Sequence, residues 1–181
     1  MKGRKVAGSG RFFNRVSGCI LRPMPDVLRA LARATNRGAL PLDGLVTAGQ
    51  PTAEQVTAFA EAGIRTVIDL RPADEDHGFD EPALVAQLGM TYIHIPTTPD
   101  TLGADQFDRT RAVLNDRSRY PILLHCRGAN RAGAVMYPWL VLDDGRKPDD
   151  AFDLVCAVGL RSAGYAETAF AYVEANQPAR R

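Results

Sequence analysis

Four short runs of β-forming residues, Leu45–Thr47, Arg65–Leu70, Met90–Ile95 and Pro121–His125, are each followed by a loop and then by a stretch with helical spacing. No other pattern in the chain constrains its fold as much. Strands that alternate with helices close into a largely parallel sheet joined by right-handed crossovers. In Pro121–His125, Ile122, Leu123 and Leu124 are consecutive, apolar enough for a central strand. The spacing predicts a three-layer α/β domain, its mostly parallel central sheet flanked by helices.

The helices have their own signals. Thr52 and Gln55 have capping-box spacing ahead of Val56, Phe59 and Ala60, and Gly63 ends that segment. Residues 80–88 form a short helix. Residues 104–116 present Phe107, Thr110 and Leu114 on one face. Helices follow over 132–143, 147–158 and 163–176, and Pro138 is expected to kink the first. Residues 26–36 are predicted helical, with Val27, Leu31 and Ala34 on one face and Leu28 beside it.

Composition adds limits. The 181 residues suit one domain, and 45% hydrophobic content excludes global disorder. Net charge is +1, which makes no whole-chain case for nucleic acid. That charge is unevenly placed: residues 1–40 carry +8 and the rest −7. Residues 1–22 hold six Lys/Arg and no acid and show no period, so they are expected to form a mobile basic arm on a domain spanning 23–181. The arm is either a solvated tail or a contact for an anionic partner. No run approaches the ~20 apolar residues of a membrane span. Arg11, Arg15 and Arg22 interrupt every candidate secretory core. Three cysteines, at 19, 126 and 156, fit neither a zinc ribbon nor a disulfide framework, so the expected compartment is the reducing cytoplasm.

The chemistry lies in residues 122–134, ILLHCRGANRAGA. Cys126 ends an apolar strand, where α/β sheets place ligands. Arg127, Gly128, Ala129 and Asn130 make a tight loop, and Arg131 opens a helix. Backbone N–H groups, a helix N-terminus and a guanidinium converging on one point make an anion cradle. Thiols in such electropositive settings ionise readily, and the thiolate is the nucleophile. The planar fork of Arg131 suits two oxygens of a transferring phosphoryl group. This chemistry requires no metal or cofactor. Asp100, after Pro99 in the Pro96–Asp105 loop, is the first candidate for a general acid, with Asp105 second. His125 either orients the loop and lines the substrate site, through backbone hydrogen bonds, or is a satisfied core histidine. Asp69 and Arg71, ending another strand, either line the site or form a structural ion pair. The acidic run Asp74-Glu75-Asp76 reads as a solvated loop.

These residues resemble a known family. HCRGANRAGA looks like the phosphate-binding loop of cysteine-dependent phosphatases. With TAGQPTAEQV (47–56), IRTVIDLRP (64–72) and LGMTYIHIP (88–96), it is similar to the bacterial beta-lactamase-hydrolase-like phosphatases, relatives of the dual-specificity and tyrosine phosphatases. The likeness covers about residues 43–162. It implies a dual-specificity-phosphatase-like fold, a phosphocysteine at Cys126, an oxyanion clamp at Arg131, and a phosphorylated protein or small phosphoester as substrate. The chain departs from the pattern twice. The common signature has five residues between Cys and Arg, and here there are four. The bacterial loop sets Gly directly before Asn-Arg, where this chain has Ala129. The four-residue gap also resembles the persulfide loop of rhodanese sulfurtransferases, an alternative activity. A non-catalytic phospho-anion-binding module is a third.

Overall fold

The structure is a computed structural model that describes residues 26–177. The expected arm, residues 1–22, lies outside the described residues, as does Cys19. A five-stranded mixed sheet has the order β1-β2-β5-β3-β4. Its strands are β1 (Ala39–Leu42), β2 (Leu45–Ala48), β3 (Thr66–Asp69), β4 (Thr91–His94) and β5 (Ile122–His125). All neighbours run parallel except the β1–β2 pair. β5 is central, as its apolar run requires.

Side chains alternate across the sheet because strand residues point to opposite faces in turn. Leu45, Ile68, Ile122 and Leu124 pack on one face with α4 (Ala104–Asn115), α5 (Asn130–Leu142), α6 (Pro148–Val158) and α7 (Ala163–Asn176). Val46, Val67 and Leu123 pack on the other with α1 (Asp26–Ala34), α2 (Ala53–Glu61) and α3 (Glu81–Gln87). This is the expected three-layer arrangement.

α5 is apolar on every side, and Arg131 through Leu140 are all buried. It is the central helix, wrapped by α4, α6 and α7, and it continues through Pro138. The capping box of α2 forms: the Gln55 N–H donates to Thr52 Oγ1 at 3.3 Å, and the Thr52 N–H to Gln55 Oε1 at 3.0 Å. The buried face of α1 is centred on Leu28, beside the row through Val27, Leu31 and Ala34. Leu28, Ala32 and Thr35 are buried, while Val27 is 58% exposed. Leu28 and Ala32 join the core on that side of the sheet, and Thr35, buried just past the helix, donates through Oγ1 to the Leu31 carbonyl at 2.8 Å. No helix among the described residues is long and apolar enough to cross a membrane.

Candidate active site

β3, β4 and β5 are parallel, so the loops at their carboxyl ends gather at one edge of the sheet. Between them lies a cavity of about 450 Å³. Cys126, Arg127, Gly128, Asn130 and Arg131 line it, together with Glu75 from the β3 loop and Thr98 and Pro99 from the β4 loop. Cys126 is 1% exposed, and Arg131 is buried in the first turn of α5.

The backbone N–H groups of residues 127–132 donate to no protein acceptor among the described residues. They belong to the loop and to the first turn of α5, where helix geometry leaves donors unspent. The loop is anchored from outside: the Gln50 N–H donates to the Arg127 carbonyl at 3.3 Å, and Gly49 bridges Gly128. Asn130 Oδ1 accepts from the N–H groups of Arg161 and Ser162, at 2.8 and 3.2 Å. That oxygen ties the loop to the α6–α7 turn, so it is not available to a substrate.

Ala129 takes the left-handed conformation, with φ 60° and ψ −2°. This costs a non-glycine residue about 1–2 kcal/mol. Gly128, one place earlier, has no positive φ. The missing glycine is compensated across a contact. Ala129 is fully buried against Gly159, where an added Cβ would stand 3.0 Å from that of Ala129. The loop keeps its shape because α6 ends in glycine where the methyl of Ala129 needs room.

Arg131 is gripped by the protein. Nη1 donates to the Thr97 carbonyl at 3.1 Å and lies 2.7 Å from Glu75 Oε1, while Nη2 donates to Glu75 Oε2 at 2.9 Å. Burial opposes the charge, but Glu75 and the Cys126 sulfur more than compensate, holding the guanidinium above its ordinary value. Nε carries no protein hydrogen bond among the described residues. Glu75 is thus a site residue that reading the acidic run as solvated misses. Its signal was position, since it follows β3 at the carboxyl edge of the sheet.

Asp100 is exposed at the tip of a turn closed by reciprocal bonds between Thr98 and Thr101, next to the cavity wall formed by Thr98 and Pro99. Its charge reaches Tyr165, a further wall residue. Burial first, then Cys126, Glu75 and Asp100, push the Tyr165 hydroxyl up against the pull of Arg131. Asp105 sits in the first turn of α4, 3.6 Å from Arg109, in an ion pair one helical turn apart.

His125 does not orient the loop through the backbone. Strand alternation sends it to the face opposite Cys126, where it is fully buried with Nε2 3.0 Å from Glu81 Oε1 and Nδ1 4.0 Å from Asp69 Oδ1. It therefore lines no part of the cavity. Asp69 and Arg71 join the same buried group. Arg71 Nε and Nη2 donate to the two Asp69 oxygens at 3.0 and 2.9 Å, Nη2 also bonds Glu81, and Tyr92 donates to Asp69 at 2.9 Å. Burial works against the Asp69 charge, yet Arg71 and His125 lower its pKa to about 2. This is a structural ion-pair network behind the site. Asp69, His77 and Glu81 have their ligand atoms within 4.8 Å of one another. Arg71 already supplies the cation that both carboxylates need, so they fit no metal. Cys156 is exposed on α6, away from the cavity.

A family model for dual-specificity-type phosphatases, described as a DSP-PTPase phosphatase fused to NAD+ kinase, matches residues 42–171. The chain belongs to this family. The beta-lactamase hydrolase-like protein of Xylella fastidiosa (strain Temecula1) is 31% identical over 111 residues, covering 59% of this chain and 25% of the relative. The match thus spans about a quarter of that curated relative. Among solved structures, a DUF442 protein of Shewanella putrefaciens CN-32 assigned as a phosphatase matches with a TM-score of 0.68 at 21% identity, over 81% of this chain and 96% of that one. Tk-PTP in its active form matches with a TM-score of 0.66 at 18% identity, over 76% and 97%. The fold is therefore that of the dual-specificity and tyrosine phosphatases.

Proposed function

We propose that the chain hydrolyses phosphate monoesters in two steps through a phosphocysteine at Cys126. In the first step the Cys126 thiolate attacks phosphorus. The S–P bond forms as the P–O bond to the leaving group breaks, and that electron pair stays on the leaving oxygen. Asp100, protonated beforehand, supplies the proton, so an alcohol departs. Arg131 and the loop N–H groups take up the charge on the equatorial oxygens, where preorganised donors act most strongly. In the second step water attacks phosphorus and Asp100 accepts its proton. The S–P bond breaks with its electrons returning to sulfur, and inorganic phosphate leaves.

One observation carries this reading: Cys126 and Arg131 line one cavity, and the loop between them and the head of α5 carry N–H groups that donate to no backbone acceptor among the described residues. Asp100 is preferred as the acid because it is exposed and follows directly on the wall residues Thr98 and Pro99, whereas Asp105 is engaged with Arg109. The test assays purified protein with an aryl phosphate in EDTA, and separately with thiosulfate plus cyanide. The proposal expects EDTA-resistant hydrolysis that vanishes in Cys126→Ser. Sulfur transfer without phosphate hydrolysis would replace it with the rhodanese reading, and neither activity would leave an anion-binding module.

A further inference from the structure

The same cavity carries more cationic charge than one phosphate uses. Among the described residues, four arginines line it, Arg37, Arg127, Arg131 and Arg161, with Glu75 as the one carboxylate. Glu75 is spent on Arg131. The other three have no carboxylate within salt-bridge distance among the described residues. We propose that the substrate is a small molecule bearing more than one phosphate, with the reacting group over Cys126 and a second phosphate held by Arg37 and Arg161. The inference rests on the assignment of Cys126 as nucleophile and adds the substrate class.

Arg161 is preorganised for this. Its Nη1 donates to the carbonyls of Gly128 and Gly159, both at 3.0 Å, and its own N–H is held by Asn130. Nε and Nη2 carry no protein hydrogen bond among the described residues, which leaves one guanidinium edge for a ligand beside the loop. Arg37 comes from a different element, the turn after α1. That turn is pinned to the site: the Gly49 N–H donates to the Asn36 carbonyl at 2.6 Å, and Asn36 Nδ2 to the Arg127 carbonyl at 3.5 Å. Arg37 has φ 48°, a left-handed conformation uncommon for a residue that is not Gly, Asn or Asp. From that turn its side chain reaches the cavity.

The walls also discriminate. An aryl phosphate on a peptide needs an apolar slot around its ring. Here Pro99 and Tyr165 are the main apolar side chains in the lining, which otherwise includes Asn36 and four arginines among the described residues. The volume of about 450 Å³ suits a whole small molecule rather than a lone phosphate.

The test is calorimetric binding to the full chain carrying Cys126→Ser, which blocks turnover, with inorganic orthophosphate, inorganic tripolyphosphate and a phosphotyrosine peptide as probes. Tripolyphosphate should bind about tenfold or more tighter than orthophosphate, because each added arginine contact is charge-assisted. Adding Arg37→Gln or Arg161→Gln should each cut that ratio by about fivefold. Arg65→Gln, exposed at the far edge of the sheet, should leave it alone. Arg161 also supports the loop, so Arg37→Gln, a change at an exposed side chain, is the cleaner variant. A ratio near one, a ratio insensitive to both variants, an equal loss in Arg65→Gln, or tighter binding of the peptide would each overturn the proposal. Hydrolysis of an aryl phosphate by the unsubstituted chain reads the Cys126 chemistry separately, so failure of either idea is visible alone.

Discussion

Glu75 holds the guanidinium of Arg131 with both carboxylate oxygens, at 2.7 and 2.9 Å, while Nε makes no protein hydrogen bond among the described residues. The carboxylate takes one edge of the fork and fixes the plane of the other. Glu75 is in this account a positioning residue, acting on phosphate through Arg131.

Glu75→Gln keeps the shape and removes the charge. Losing a hydrogen-bonded charge partner is worth about 1.5–3 kcal/mol, so kcat for an aryl phosphate should fall about ten- to hundredfold while KM moves little. Steady-state kinetics decides the matter. A lower KM with undiminished kcat would mean that Glu75 only competes with substrate for Arg131.

Asp100→Asn should slow phenyl phosphate far more than an ester whose leaving oxygen is already a stable anion. A poor leaving group needs its proton in the transition state, and a good one departs without it. The two esters are compared by kcat/KM. Equal slowing of both would remove Asp100 from the acid role.

Much of this site was legible in the chain because its parts are local. Strand, Cys126, loop and helix are consecutive, so the hydrophobic pattern and the loop residues place them without tertiary information. β1 is different. It is four residues with a proline at 41, which an edge strand tolerates. The Asp43-Gly44 pair between Leu42 and Leu45 is the hairpin signal that finds it. Glu75, Arg37 and Arg161 were not legible as site residues. They converge from three separate loops, and no period or spacing in one dimension encodes that. Of the two readings open for His125, the core one holds: it is adjacent to Cys126 in sequence, and a strand's period of two sends adjacent residues to opposite faces.

Stability should depend on acid through Asp69. Its folded pKa is about 2, below its ordinary 3.8, so ionised Asp69 stabilises the fold above that ordinary value. The contribution is lost as pH falls from about 4 through about 2. Asp69→Asn leaves Arg71 short of a buried partner and should cost about 3–5 kcal/mol at neutral pH. It should also flatten the acid limb of a denaturant-midpoint profile over that window. A variant within ~1 kcal/mol of the parent at neutral pH would show that the network contributes little.

Gly133→Ala tests the packing of α5 on α6. Propensity alone favours alanine by about 1 kcal/mol. The added methyl would stand 2.9 Å from Leu160 Cβ and 3.0 Å from the Val155 carbonyl oxygen. Backbone cannot swing aside, and overpacking costs about 1–3 kcal/mol, so the clash wins and Tm falls. Gly164→Ala is the control: nothing lies within 4 Å of its added methyl, and Tm should hold or rise. A Gly133→Ala variant as stable as the parent would mean that the helices separate at little cost.

The central claim is that phosphate passes through sulfur. The direct measurement is mass spectrometry of acid-quenched protein, sampled during turnover of an aryl phosphate. The account predicts one added phosphoryl group, on the peptide carrying Cys126, formed and lost at least as fast as product appears, and absent from Cys126→Ser. Steady turnover with no phosphoryl group on Cys126, or with the label on another residue, would contradict it.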